Sequence, residues 1–301
     1  MEFQKITIER IAQIEKYYTL RSNLSCDSSV LDAFLWRNYF QTEYCIWKGR
    51  ALLTQMRQNG ERYFCIPYCR ERDLPEAFLV LERYAEAEGI PFVIEEADEY
   101  SLGLLRLPEE RYEITELPER KDYLYRREAL TELSGSGLAE KRWRIRHFLE
   151  NYGERCAYRT IDADNWQEVW TFLKEWTWRR DTECGKMLAA EIDGTYEVLR
   201  HIGSFPIRSA AIYIDGKVHA FSLGAYNETD KMAVISVEKA NPEIAGLYQY
   251  INQQFLLHAF PEAELVNRED DAGVPGLREA KESYEPIGYV RKYRIRRREN
   301  C

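Results

Sequence analysis

The chain has 301 residues, of which 45% are hydrophobic and 31% are charged, and its formal net charge is −9 at pH 7. Since domains usually span ~100–200 residues, this length predicts two domains or one large one. The longest apolar runs cover only 77–81 and 210–214, whereas a membrane span needs roughly 20 apolar residues, so no span is expected. The acidic balance excludes a uniformly phosphate-binding surface but leaves room for local basic patches.

The chain begins MEFQKITIER, which has no apolar core of a secretory signal, so we expect a cytoplasmic protein. Peripheral attachment at the membrane surface stays open as an alternative. The seven cysteines are then expected to be reduced thiols. The four histidines show no metal-ligand spacing with these cysteines, so no metal is expected.

The first part of the chain alternates between helical and strand patterns. Apolar spacing and capping residues predict helices at 7–18, 29–39, 75–88 and 97–107. Short β-rich runs predict strands at 44–48, 51–57, 62–67 and 91–95. Asn59-Gly60 is typical of the tight turn in a β-hairpin. Residues 108–125 carry two prolines and many charges, and we interpret them as the joint between two halves.

The second part begins with helices predicted at 127–133 and 138–151 and then gives a clearer pattern. Strands are predicted at 155–161, 209–214, 218–226, 231–237, 264–267 and 287–295. Helices are predicted at 164–179, 185–201, 244–260 and 276–282. An antiparallel meander followed by a β-α-β crossover predicts a mixed α/β (α+β) sheet with helices on both faces.

This order of elements resembles the Gcn5-related N-acetyltransferase (GNAT) fold, and the first half has the order of a shorter, eroded copy. The predicted fold class is therefore two tandem acetyltransferase-like domains joined by a basic helix. The predicted division is an N-terminal domain at 1–125, linking helices at 126–152 and a C-terminal, catalytic domain at 153–301.

The segment 265–286 concentrates polar residues at the end of a strand and the start of a short helix. Loops in this position are frequent sites of function in α/β sheets, and the glycines here permit close backbone approach. The alternative is a charged surface loop. The candidate site residues in this segment are Asn267, Arg268, Asp270, Asp271, Arg278, Lys281 and Tyr284.

A second candidate lies at 235–248, where a strand ends and a helix begins. In the acetyltransferase fold this helix N-terminus holds the pyrophosphate of an acyl donor through backbone amides and the helix dipole. Gly246 is the only glycine of this stretch, so the usual glycine-rich loop is not intact. Glu238 is a candidate general base, with an ordinary surface glutamate as the alternative.

Two segments are strongly basic. The helix at 138–151 carries Lys141, Arg142, Arg144 and Arg146 with Trp143 between them. Such a face suits phosphates of RNA or anionic lipid headgroups, although a solvated face paired with acids is equally consistent. The C-terminal segment 291–298 has six basic residues in eight, and a basic strand end that only aids solubility is its alternative.

The strings KRWRIRHF and NREDDAGVPGLREAKESYEP resemble an uncharacterised bacterial family related to the C-terminal catalytic domain of phosphatidylglycerol lysyltransferase. That domain and the Fem peptidyltransferases use tandem acetyltransferase-like folds to transfer an amino acid from aminoacyl-tRNA to a lipid or peptidoglycan amine or hydroxyl. The resemblance implies that the four basic residues of the helix contact tRNA or a headgroup. It also implies that the candidates within 267–284 line the active pocket.

The leading hypothesis is therefore a transferase that takes an acyl group from aminoacyl-tRNA or acyl-CoA. The expected partners are tRNA and an acceptor, either an anionic lipid or a peptidoglycan precursor. Such a reaction needs a base, which would be Glu238 or Asp270, and an oxyanion donor, which would be Arg268 or strand-end amides. Tyr284 would be the acid. The alternatives are a non-catalytic RNA- or ligand-binding module and a soluble acetyl-CoA-dependent N-acetyltransferase.

Overall fold

Two mixed β-sheets with helices against their faces form the part of the chain that the computed structural model describes, residues 1–178 and 185–298. The last residue of the helix predicted at 164–179 and two of the cysteines, Cys184 and Cys301, lie outside these described residues. The mixed-sheet fold class predicted from the order of elements is confirmed.

The first part of the chain, up to residue 152, supplies most strands of the first sheet. The strands of this part of the chain are β1 Gln4–Lys5, β2 Glu43–Trp47, β3 Ala51–Gln58, β4 Glu61–Phe64, β5 Tyr68–Cys69, β6 Val93–Asp98, β7 Tyr112–Glu116 and β8 Asp122–Arg126. Its helices are α1 Ile11–Tyr18, α2 Val30–Trp36, α3 Leu74–Ala87, α4 Glu99–Leu105, α5 Arg127–Glu132 and α6 Ala139–Tyr152. Local signals explain several boundaries. Ser29 Oγ caps α2 by accepting from Leu31 N, and Asn59 and Gly60 both have the positive φ of the predicted hairpin turn.

The remaining elements follow in the predicted order. They are β9 Cys156–Arg159, α7 Trp166–Trp178, α8 Lys186–Arg200, β10 Arg208–Ile214, β11 Lys217–Asn227, β12 Met232–Ala240, α9 Leu247–Ala259, β13 Leu265–Asn267, α10 Pro275–Glu282, β14 Gly288–Val290 and β15 Lys292–Arg297. Strands β9 to β12 form the predicted antiparallel meander, and α9 then crosses over to β13, which pairs parallel to β12.

Each sheet contains a strand from the other half of the chain. The first sheet has the order β1-β2-β3-β4-β6-β15-β7, so the C-terminal strand lies between β6 and β7. The second sheet has the order β14-β8-β13-β12-β11-β10-β9, so β8 lies between β14 and β13. The predicted division into domains at 1–125, 126–152 and 153–301 stays a prediction. Each sheet takes strands from both sides of the predicted boundaries.

The segment 108–125, interpreted as a joint, contains β7 of the first sheet and most of β8 of the second, so the joint stays a prediction. One local expectation is wrong. The strand predicted at 287–295 is split at Arg291, and its two parts join different sheets. In both cases the partner strands are distant in sequence, so the local pattern does not reveal the pairing.

One hydrophobic core connects the two halves. It contains Phe34 from α2 and Val198 from α8, and both side chains are fully buried. The two helices approach closely at Gly194, where an added Cβ would lie 2.2 Å from the Leu35 carbonyl oxygen. The sheets are therefore packed against each other through helices rather than joined by a loose linker.

The basic helix α6 packs against α9 on the second sheet. Its Ile145 and Phe148 side chains are buried there. The predicted role of this helix as a link between two domains is therefore not confirmed. Among the described residues, we find no helix long and apolar enough to cross a membrane.

Candidate functional site

The loop that follows β13 lies at the junction of the two sheets. Asn267, at the end of β13, is fully buried, and its Nδ2 donates to Asp122 Oδ2 at 2.9 Å and to the Leu24 carbonyl at 2.8 Å. Its Oδ1 accepts from Glu269 N at 2.7 Å, which turns the chain sharply so that Glu269 has a φ of +60°. Asn267 is a predicted catalytic residue, and its side-chain hydrogen bonds fix the conformation of this loop.

Three predicted site residues also hold this loop in place. Asp271 is buried, and it accepts two hydrogen bonds from Arg278, at 2.9 and 3.1 Å, and one from Tyr123 Oη at 2.6 Å. The hydrogen bonds from Arg278 lower the pKa of Asp271 to about 2. Lys281 Nζ donates to the carbonyls of Arg268 and Asp270. These side chains shape the site and have their polar groups engaged.

Arg268 lies among aromatic rings and beside one carboxylate. Its Nη2 donates to Glu238 Oε1 at 3.2 Å, and the two side chains are only 15% and 11% exposed. Its guanidinium carbon lies 4.9 Å from the centre of the Tyr284 ring and 5.9 Å from that of Tyr125. The other Glu238 oxygen accepts from Asn252 Nδ2 at 3.1 Å. Glu238 is thus a partner of Arg268 rather than a free base.

One nitrogen of Arg268 remains unused. Nη1 is buried and has no hydrogen-bond partner among the described residues. A buried donor without a partner costs free energy, and guanidinium groups form strong hydrogen bonds with carbonyl and carboxylate oxygens. The arrangement therefore suits a ligand oxygen at Nη1.

Tyr284 and Lys141 complete this side of the site. Tyr284 is buried, and burial raises its pKa to about 12, so the hydroxyl keeps its proton at neutral pH. Lys141 Nζ lies 4.9 Å from the centre of the same ring. Lys141 therefore contacts Tyr284 through the ring face, and the charge of Arg144 on the same helix also acts on Tyr284.

Two residues of the site were missed as candidates in the sequence. Burial raises the pKa of Glu269 to about 8, and its Oε1 is buried without a partner among the described residues. Ser236 lies at a β-bulge in β12, since the pairing with β11 passes from Val237 directly to Ile235. Bulges of this kind are frequent beside active sites, but no local sequence signal indicates this one.

A buried lysine lies close to the loop and contacts Asp122, the partner of Asn267. Lys292, the first residue of β15, is 1% exposed, and its Nζ lies 3.0 Å from Asp122 Oδ1, 3.1 Å from Asp27 Oδ2 and 3.5 Å from Glu96 Oε2. Arg120 contacts both Glu96, at 3.7 Å, and Asp270 in the loop, at 3.5 Å. The predicted base Asp270 is therefore already paired with a cation.

The other basic residues of α6 are arranged differently from one another. Arg142 Nη1 donates to the carbonyls of Leu133 and Gly135, and Arg144 pairs with Glu140 at 2.7 Å. Arg146 is exposed and has no hydrogen bond or ion pair among the described residues. On the predicted anion-binding face, Arg146 is therefore available at the surface, and Lys141 lies beside Tyr284.

Gly246 does not form an open phosphate cradle at the N-terminus of α9. It has a φ of +85°, and an added Cβ would lie 2.2 Å from the Arg144 carbonyl and 3.0 Å from Phe148 Cβ. The backbone of α6 thus occupies the space beside the first turn of α9. The side of Gly246 that faces α6 therefore has no room for a ligand.

The basic C-terminal segment is largely paired within the first sheet. Arg294 lies 2.5 Å from Glu95, and Arg297 lies 3.4 Å from Glu86. Most of its charge therefore neutralises acids of the first half, which leaves little of it free for an external anion.

The comparisons with known proteins agree with this fold. Residues 20–296 match the family described as "Phosphatidylglycerol lysyltransferase, C-terminal". Over 178 residues the chain is 21% identical to an uncharacterized protein of Mycoplasmoides gallisepticum, and the match spans 58% of the chain but only 56% of that relative.

Two solved structures are similar over nearly the whole chain. A conserved protein of unknown function from Bacteroides thetaiotaomicron is 25% identical with a TM-score of 0.91, over 99% of this chain and 100% of that one. L-PGS from Bacillus licheniformis is 14% identical with a TM-score of 0.72, over 99% of this chain and 94% of that one. The chain therefore belongs to the phosphatidylglycerol lysyltransferase C-terminal family and has its tandem acetyltransferase-like fold.

Proposed function

We propose that this protein transfers an acyl group, the aminoacyl group of an aminoacyl-tRNA, to an amine or hydroxyl acceptor. The observation that carries the proposal is the unpartnered Nη1 of Arg268, which is buried while the guanidinium lies against the Tyr284 ring. A preorganised donor of this kind stabilises the negative charge that develops on a carbonyl oxygen during acyl transfer. Family membership supports the same class of reaction.

The roles of the side chains follow from their surroundings. The carbonyl oxygen of the donor binds Arg268 Nη1, and Glu238 holds the guanidinium in place. The acceptor attacks the carbonyl carbon and gives its proton to the Glu269 carboxylate. The bond from carbon to the ribose oxygen of the donor then breaks, and that oxygen takes the proton of Tyr284. Solvent returns the proton from Glu269 to Tyr284, which completes the cycle.

The donor is assigned to tRNA rather than coenzyme A because α6 fills the space beside Gly246. The exposed Arg146 and the half-buried Lys141 on this helix suit phosphates close to the pocket. The proposal also keeps the cytoplasm as the place of reaction, since aminoacyl-tRNA is present there. A lipid or peptidoglycan acceptor would be reached from the membrane surface.

The test is a transfer assay with the purified full chain. Charged tRNA with a labelled aminoacyl group would be mixed with vesicles of phosphatidylglycerol, with soluble amines or with soluble alcohols, and the labelled product measured. Wild-type protein is expected to transfer the label to at least one acceptor class. Arg268→Ala is expected to lower the rate by about 10²- to 10³-fold, because it removes the oxyanion donor.

The matched control is Arg296→Ala, which removes an exposed arginine of β15 that has no polar contact among the described residues. This variant is expected to transfer at the wild-type rate. The proposal fails if Arg268→Ala is as active as this control, or if no charged tRNA donates to any acceptor. Transfer from acetyl-CoA at a comparable rate would overturn the assignment of the donor.

A further inference from the structure

A cavity lies beside the first sheet. It has a volume of about 70 Å³, and it is bounded by α2 and by strands β4 and β6. Its wall contains the aromatic side chains of Trp36, Phe40, Tyr63 and Tyr68. The wall also contains the acids Asp27, Asp32, Glu95, Glu96 and Asp98 and no lysine or arginine.

Four of the five acids already have partners. Asp27 and Glu96 contact Lys292, Glu95 pairs with Arg294, and Asp98 accepts from Ser101 N and Oγ. Asp32 is the exception, because it has no hydrogen bond or ion pair with any residue that the structure describes. Burial and the charges of Glu269 and Asp27 raise the pKa of Asp32 well above its usual range, and Lys292 opposes this shift.

Two buried hydroxyls in the same wall also lack partners. Tyr68 is 7% exposed and Thr42 is 4% exposed, and both line the cavity. Neither hydroxyl forms a hydrogen bond with the residues described. Asp27 and Asp32 are among the charges that raise the pKa of Tyr68, after burial itself, so its hydroxyl shares their surroundings. Both hydroxyls belong to the cavity lining and are available to a ligand there.

We propose that this cavity binds the ammonium end of a primary alkylamine. A primary ammonium has three N–H donors, which match the three acceptors left free, the Asp32 carboxylate and the Tyr68 and Thr42 hydroxyls. The aromatic walls attract a cation through their ring faces and exclude water from its alkyl stem. A quaternary ammonium would leave the three acceptors unsatisfied, and an anionic headgroup would be repelled by the acids.

A divalent metal fits this cavity less well than an ammonium. Within residues 1–178 and 185–298, no three acid, histidine or cysteine side chains converge closely enough to hold a metal ion. Lys292 already occupies the point where Asp27, Glu96 and Asp122 meet. The acceptors that remain free therefore suit a monovalent, hydrogen-bonding cation.

The position of the cavity connects it to the proposed reaction. After burial, the charge of Glu269 is the strongest influence on the pKa of Asp32, so the proposed base acts electrostatically on this acid of the cavity wall. The ammonium then belongs either to an amine acceptor or to the amino group of the donor's acyl part. An acceptor must first release one ammonium proton to solvent, and the resulting amine gives its second proton to Glu269 as it attacks. Its link to transfer rests on the proposed function, whereas binding of the ammonium does not.

The test is calorimetric titration of the full chain at pH 7 with n-butylammonium, butan-1-ol and butyltrimethylammonium. Wild-type protein is expected to bind n-butylammonium and to bind the other two probes at least ~10-fold more weakly. Asp32→Asn is expected to weaken n-butylammonium binding by about 10- to 100-fold. Tyr68→Phe, which removes only the hydroxyl, is expected to weaken it by a few-fold, about 2- to 10-fold.

The matched control is Asp193→Asn, an exposed acid on α8 that is expected to leave the affinity unchanged. Folding of each variant is verified by circular dichroism. The proposal is overturned if wild-type protein does not bind n-butylammonium, if butan-1-ol binds as tightly, or if Asp32→Asn binds like the control.

A second arm distinguishes the two sources of the ammonium. N-butyl amide formation from charged tRNA identifies the cavity as the acceptor site, whereas competition with the donor without acylation identifies the donor's amino group. Both results support an ammonium site. Binding of n-butylammonium without any transfer would overturn the proposed function alone, and transfer without such binding would overturn the ammonium site alone.

Discussion

Arg268 and Lys292 are both buried cations, but the protein satisfies them to different degrees. Lys292 has three carboxylates within 3.5 Å and joins strands of both sheets. Arg268 has one carboxylate, two aromatic rings and a nitrogen without a partner. A fully paired buried cation stabilises an arrangement, whereas an incompletely paired one can bind a ligand. The contrast separates a structural contact from a candidate active site.

The largest expected effect is on stability, at Lys292. Lys292→Met leaves Asp122, which is fully buried, without a counter-charge, so the free energy of unfolding is expected to fall by about 3–5 kcal/mol. Urea unfolding followed by circular dichroism measures this change. The control is Arg294→Met on the same strand, whose exposed ion pair with Glu95 is worth at most ~1 kcal/mol. Equal unfolding midpoints for the two variants would remove the distinction between the two cations.

The pairing of Lys292 also shows where sequence reasoning ends. Alternating apolar residues predicted a strand near the C-terminus, and the glycine, proline and charged residues of 265–286 predicted a site loop. No local pattern indicates that β15 leaves the second sheet, because its partners β6 and β7 lie almost 200 residues earlier. From the sequence alone, the Arg291–Arg298 segment therefore resembles a free basic tail. In the structure, the acids that pair with it come from the first half of the chain.

The candidate site was only partly predictable for the same reason. Arg268, Glu238 and Tyr284 were chosen by residue type and position, and the structure brings them together. Tyr125 was not chosen, because β8 was hidden in a segment of prolines and charges. Glu269 was not chosen either, because an acid in an acidic loop is expected to be exposed. Its burial depends on how distant strands close over the loop.

The next effect concerns Glu269, which follows Arg268 in the loop. As a base with a pKa of about 8, it is active as the carboxylate, so the wild-type transfer rate is expected to rise with pH up to about 8. Glu269→Gln is expected to lower the rate by about 10²-fold and to abolish this rise. Rates measured from pH 6 to 9 test it, with Glu279→Gln on the exposed face of α10 as the control.

Stability responds to the same group with the opposite sign. The folded protein holds a proton on Glu269 up to about pH 8, whereas the usual pKa of a glutamate is 4.5. The unfolded chain therefore releases that proton first, and the wild-type free energy of unfolding should fall as pH rises from 4.5 to about 8. Glu269→Gln removes this contribution. An identical pH dependence of stability in the variant would mean that Glu269 is not buried as described.

A smaller effect is expected when Arg268 loses its only carboxylate. Glu238→Gln keeps a hydrogen-bond acceptor but removes the counter-charge, so the guanidinium is positioned less firmly and transfer falls by about 10-fold. The rise of activity up to pH 8 should remain, because Glu269 is intact. If Glu238→Gln abolished that rise instead, Glu238 would be the base and Arg268 would have a different role.

The same contrast between paired and unpaired cations extends to the surface, where it gives the smallest effect. Arg146 on α6 is exposed without a polar contact in the described part of the chain, whereas Arg297 on β15 lies 3.6 Å from Glu82 and 3.4 Å from Glu86. If α6 contacts tRNA, Arg146→Ala should weaken binding a few-fold and reduce the slope of log affinity against log salt by about one. Arg297→Ala should leave that slope unchanged, because its charge is already neutralised. Filter binding across a salt series measures both slopes, and equal slopes for the two variants would place the tRNA contact away from α6.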